Sequence, residues 1–175
     1  IAFLIPLIYF TLKLSLKKLL NFYVIFFLIC FQGFIGWYMV SSGLINRVDV
    51  SHFRLSLHLI VAFFILSLIL WNYLKINIKD NGKLKLNIFF PLTFLVLIFL
   101  QIIIGAFVSG MDAGLIYNSW PLMGNTYFPN DSEFINLFNI TVFSNASLVQ
   151  FVHRNLAYLI LAFYFLMLFR VHKLK

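Results

Sequence analysis

The chain has 175 residues, of which 63% are hydrophobic and 10% charged, and its mean hydropathy is +1.00. Soluble globular domains carry about 25% charged residues, so this composition excludes that class. The net charge of +8 does not indicate a nucleic-acid partner, because the lysines and arginines sit between apolar runs and not along one face.

Residues 1–10, IAFLIPLIYF, read as the end of a membrane span that starts before Ile1, so the sequence is expected to be a fragment. Four complete spans follow at roughly 22–41, 54–73, 87–109 and 148–169. Each is close to the ~20 apolar residues that a crossing helix needs. Pro6 and Pro91 fall near span ends, where lost helix hydrogen bonds cost little. The fold class expected is all-α, a polytopic transmembrane helix bundle. Residues 1–80 form part of an N-terminal half, with the tail of one helix and the spans 22–41 and 54–73. Residues 81–175 form part of a C-terminal half, with the spans 87–109 and 148–169 and the loop 110–147. Cys30, alone inside a span, is expected to be a buried small apolar residue.

The connections alternate in charge. One set carries Lys13, Lys17 and Lys18, then Lys75, Lys79, Lys83 and Lys85, then Arg170, Lys173 and Lys175. The other set, 42–53 and 110–147, has Arg47 as its only cation and holds Asp49, Asp112, Asp131 and Glu133. Excess lysine and arginine marks the cytoplasmic or matrix side, so the acidic loops are expected outside. The loop 110–147 is long for a connection without structure, which points to a functional segment. Its Trp120-Pro121-Leu122-Met123-Gly124 run suits either an interfacial anchor or a lid.

Within the spans one pattern occurs twice. The first copy has Gln32-x-x-x-Gly36, then Ser42-Gly43-Leu44-Ile45, then His58-x-x-x-Ala62. The second has Gln101-x-x-x-Gly105, then Ala113-Gly114-Leu115-Ile116, then His153-x-x-x-Ala157. With the loop charges, this is a repeat of parallel orientation about an axis along the membrane normal. Both histidines fall within about two turns of a helix start, under roughly 10 Å from the outer boundary.

An ionisable residue inside a span is costly without a partner and marks a functional site. Imidazole suits iron, zinc, copper or nickel. Zinc recruits several protein ligands, and the spans offer one histidine each. Haem needs only one or two axial ligands, so His58 and His153 are expected to hold haem iron. They either serve two sites or share one iron, with ring nitrogens about 4 Å apart. Gly36 and Gly105 allow close approach of a flat macrocycle or of another helix. Arg54 and Arg154 either pair with propionates or snorkel to the interface. Gln32 and Gln101 either hydrogen-bond between helices or support a cofactor. His52 and His172 are expected to be solvated.

The strings QGFIGWYMVSSGL (32–44), VSHFRLSLHL (50–59), GAFVSG (105–110), AGLIYNSWPLM (113–123) and VQFVHRNLAY (149–158) resemble the haem A synthase family, in its alphaproteobacterial and mitochondrial branch. The resemblance covers nearly the whole chain. It implies eight transmembrane helices in two pseudo-symmetric four-helix halves, of which this chain would be the end of helix two to helix six. It implies oxidation of a ring methyl of haem O to a formyl group by successive hydroxylations, giving haem A for terminal oxidase assembly. His58 would then be an axial ligand in the substrate-side half, and His153 an axial ligand of a haem b in the C-terminal half. Their partner histidines, and a functional glutamate in another loop, would lie outside this chain, leaving the fragment inactive alone and its catalytic residue unassigned. Haem O synthase and an electron donor are the implied partners, and a bacterial or mitochondrial inner membrane the implied location. Ser144 departs from the family pattern, where a glutamate is expected before Asn145. The alternative is a non-catalytic di-haem b-type electron-transfer protein with the same ligands. A transporter built on a parallel repeat ranks lower, because almost no ionisable group lies near the midplane.

Overall fold

The protein is described by a computed structural model covering residues 10, 16–43, 50–77 and 86–174. The expected helix tail at 1–9, Arg47 and the lysines at 79, 83 and 85 lie outside the described residues. Four long helices account for the spans: α1 (Leu16–Gly43), α2 (His52–Asn77), α3 (Phe89–Gly110) and α4 (Ala146–Lys173). All four are long and apolar enough to cross a bilayer, and among the described residues no strand occurs. The protein is an integral membrane helical bundle. The helices overrun the apolar windows because backbone hydrogen bonding continues into the interfacial region, where polar side chains are tolerated.

Their ends follow from local chemistry. Asn87 Oδ1 accepts from Phe89 N at 3.0 Å, and Pro91 sits in the first turn of α3, where its missing N–H has no helical partner to lose. Asn145 caps α4 by accepting from Leu148 N at 3.1 Å. Arg170, His172 and Lys173 occupy the last turn of α4, where cations complement the helix dipole. His172 is exposed, as expected.

The helices pack in chain order, α1 on α2, α2 on α3 and α3 on α4. Successive helices are antiparallel, since late residues of α1 and α3 meet early residues of α2 and α4. The core lies between α3 and α4, where Ile104, Phe107 and Val149 are buried. Much of the remaining apolar surface of the spans is exposed, as expected where lipid or further helices form the surroundings. This corrects the expectation for Cys30, which is exposed. It lies on α1, whose main packing partner among the described residues is α2.

The crossing of α2 with α3 is close. A Cβ on Gly110 would come within 2.8 Å of His52 Cα. The His52 ring lies tilted against Phe53 at 4.2 Å and meets Phe107 edge-on at 5.2 Å. His52 is thus half-buried at a helix crossing, not solvated as expected. Sequence position alone put it before a helix; the neighbouring α3 covers it.

The loop between α3 and α4 is folded. It contains 3-10 turns at Ala113–Leu115, Phe134–Phe138 and Ile140–Ser144. Gly124, at φ +80, closes a tight turn in which Met123 N donates to Thr126 O at 2.7 Å. Met123 is 1% exposed, so this one side chain of the Trp-Pro-Leu-Met-Gly run is buried, while Trp120 and Leu122 stay exposed.

Candidate functional site: a histidine notch built twice

Gln32 and Gly36 are four residues apart, so they lie one above the other on the same face of α1. Glycine removes the side chain there, and the His58 ring of α2 fills the space. A Cβ on Gly36 would stand 3.1 Å from His58 Cε1. Gln32 Nε2 donates to the His58 carbonyl at 2.9 Å. The same amide nitrogen lies 3.1 Å from His58 Nδ1 and 3.2 Å from Nε2.

α3 and α4 repeat the arrangement. A Cβ on Gly105 would stand 3.2 Å from His153 Cε1. Gln101 Nε2 donates to the His153 carbonyl at 3.2 Å and lies 3.2 Å from His153 Nε2. The interhelical hydrogen bonds expected of the glutamines are present. The small-residue seam is not a flat helix contact, because each glycine receives an imidazole.

Both notches lie at the same end of the bundle, near the ends of α1 and α3 and the starts of α2 and α4. Each ring is seated on a different helix, His58 on α1 and His153 on α3, so the two do not occupy a common notch.

The polar accounting of the notches is incomplete. Gln32 Oε1, Gln101 Oε1 and His153 Nδ1 are buried and lack a hydrogen-bond partner. Such groups are costly, so native structures rarely leave them without a role. A neutral imidazole keeps one ring nitrogen with a free lone pair, and that nitrogen can ligate a metal. Among the described residues no group of three or more His, Cys, Asp or Glu side chains is placed to hold a metal ion. Polydentate zinc-type binding therefore has no ligand set here, whereas a single imidazole per site fits a macrocycle that supplies its own equatorial donors. On these grounds the residues present fit haem. An open apolar groove of about 550 Å³ runs along α3 and α4, with Leu100 and Ile104 of α3 and Val152 and Leu156 of α4 in its walls.

The arginines differ. The Arg54 guanidinium lies 5.3 Å from the centre of the Tyr38 ring, a cation–π contact between α2 and α1. Arg154 faces the long loop, donating from Nη2 to Tyr117 O at 2.6 Å and from Nη1 to Ser119 O at 2.9 Å. Sequence reasoning missed its companions. Gln150 donates to Tyr117 O at 2.9 Å, Asn155 accepts from Tyr127 Oη at 2.5 Å, and Tyr158 Oη accepts from Trp120 Nε1 at 2.7 Å. The available signal was a polar stripe, Gln150, Arg154, Asn155 and Tyr158, on one face of an otherwise apolar helix. At the start of α4, Ser147 Oγ donates to Asp131 Oδ2 at 2.6 Å. Ser144 is exposed just before the Asn145 cap.

The COX15-CtaA family model, described as cytochrome oxidase assembly protein, matches residues 1–175. A heme A synthase of Pelagibacter ubique (strain HTCC1062) is 54% identical over 162 residues, covering 91% of this chain and 48% of the relative. Heme A synthases of Rickettsia bellii (strain RML369-C) and Wolbachia pipientis wMel are 41% and 43% identical, over 90% and 92% of this chain and 49% and 48% of theirs. The chain thus spans about half the length of the curated relatives it matches. No solved structure matches it significantly. By the family match over its whole length, the chain belongs to the haem A synthase family of cytochrome oxidase assembly proteins.

Proposed function

We propose that this chain is the central part of a haem A synthase of a bacterial or mitochondrial inner membrane, which oxidises a ring methyl of haem O to a formyl group. The observation that carries the reading is the notch written twice, a histidine seated between a glutamine and a glycine of the preceding helix. His58 would hold the iron of the haem on the substrate side, and His153 would hold the iron of a resident haem b. Gly36 and Gly105 set the depth of each ring. Arg54 and Arg154, each within a turn of its histidine, are placed to neutralise propionates. Arg154 does so while tethering the loop, which links propionate binding to loop order.

Haem iron, when bound, supplies the redox chemistry. The chain's own groups would supply nitrogens to hold the iron, fix the orientation of the ring and exclude water with the loop and the apolar walls. Haem O synthase and an electron donor fit as partners that deliver substrate and electrons.

The test is expression of the full-length protein with a haem O source, followed by chromatography of extracted haems. Hydroxylated and formylated haem should appear, and His58→Ala should abolish both. If the unsubstituted protein binds haem and yields neither product, it is an electron-transfer protein and the synthase reading fails.

A further inference from the structure

We infer that Gln32 and Gln101 are positioning residues whose amide oxygens accept the remaining N–H of His58 and His153 when those rings ligate iron. The inference rests on the haem reading above and concerns how this chain tunes it.

The argument is an accounting of donors and acceptors. A glutamine amide nitrogen carries two hydrogens and no lone pair for hydrogen bonding. In each notch one hydrogen serves the histidine carbonyl, at 2.9 Å in the first and 3.2 Å in the second. The other faces the ring, so the ring nitrogen it meets must offer its lone pair. In the second notch that nitrogen is His153 Nε2, which places the ring proton on Nδ1. Nδ1 is buried and has no acceptor. Gln101 Oε1 is also buried and has no donor. One orphan donor and one orphan acceptor occupy the same notch, and Gln32 Oε1 is an orphan acceptor in the first.

Iron changes which partner each group needs. A ring nitrogen that held iron would no longer offer its lone pair, so the amide N–H facing the ring would lose its acceptor. The other ring nitrogen then carries a proton that needs one. Ligating histidines nearly always donate that proton to a carbonyl or carboxylate, which makes the ring a better electron donor to the metal. The glutamine oxygen is the acceptor already present in each notch, and reorienting the amide against the ring satisfies both orphans. The device occurs once per site, so each glutamine should tune its own haem.

The experiment is a redox titration of the full-length, haem-loaded protein, following the two haem absorption signals separately. Gln101→Met keeps length and removes the acceptor, so the haem at His153 should shift to a higher reduction potential. Gln101→Glu keeps shape and strengthens the acceptor, so the same haem should shift lower, with the other haem unmoved. Gln32→Met and Gln32→Glu should shift only the haem at His58, in the same order. The Glu variants decide the question alone if the Met variants do not fold. Unchanged potentials, or Met and Glu shifting the same haem in one direction, would overturn the inference while leaving the haem reading intact. An unsubstituted full-length protein that purifies without haem would instead remove the haem reading itself, and the inference with it.

Discussion

Four glycines of the spans face different neighbours, and this ranks what a methyl group does at each. At Gly110 the added carbon meets His52 Cα and Cβ, at 2.8 and 2.9 Å. Backbone cannot rotate away, so the α2–α3 crossing has to open. At Gly36 and Gly105 the obstacle is an imidazole edge at 3.1 and 3.2 Å, which can shift by a few tenths of an ångström. At Gly33 nothing lies within 4 Å. Gly110→Ala should therefore destabilise the protein by about 1–3 kcal/mol, the usual cost of overpacking. Gly33→Ala should be neutral or stabilise by up to about 1 kcal/mol through helix propensity. Thermal unfolding in detergent reads both, and equal effects at the two positions would contradict the close crossing. Gly36→Ala and Gly105→Ala should move their rings without unfolding the protein, giving altered haem absorption bands and near-normal thermal stability.

At the scale of the element, α4 has three tasks on adjacent faces. His153 turns toward α3, Val152 and Leu156 wall the apolar groove, and Gln150, Arg154, Asn155 and Tyr158 hold the loop. The spans, their alternation and the two histidine seats were legible in the sequence, because apolar length and i, i+4 spacing are local properties. The loop's fold was not. The tethers from Arg154 run to backbone carbonyls of Tyr117 and Ser119, and a carbonyl leaves no mark on residue type. His52 and Cys30 were misread for a related reason, since burial depends on which helix arrives alongside. Arg154 grips Tyr117 and Ser119 through two separate nitrogens, a fork that lysine lacks. Arg154→Lys should leave the loop tethered at fewer points. Amide exchange measured by mass spectrometry should then accelerate at least several-fold over 115–124, with little change in the middle of α2. Unaltered exchange in the loop would show that Arg154 is not what holds it.

Across the whole molecule, the antiparallel order of the helices sorts charge as well as chemistry. The end that carries both notches also carries Asp112 and Asp131, beside the end of α3 and the start of α4. The opposite end has Lys17 and Lys18 at the start of α1, Lys75 near the end of α2, and Arg170 and Lys173 at the end of α4. Cations near span ends are retained on the cytoplasmic or matrix side. By this rule the notches are expected on the far side, within roughly 10 Å of its surface, at the end of the bundle where the loop folds. Single-cysteine labelling of the full-length protein in intact bacterial cells tests this. With Cys30 and any other cysteine of the protein replaced by serine, Asn130→Cys in the loop should react with a membrane-impermeant maleimide added outside. Lys173→Cys should react only after the inner membrane is opened. The reverse pattern would invert the topology and place both histidines near the cytoplasmic face, where haem would have to enter from the other side.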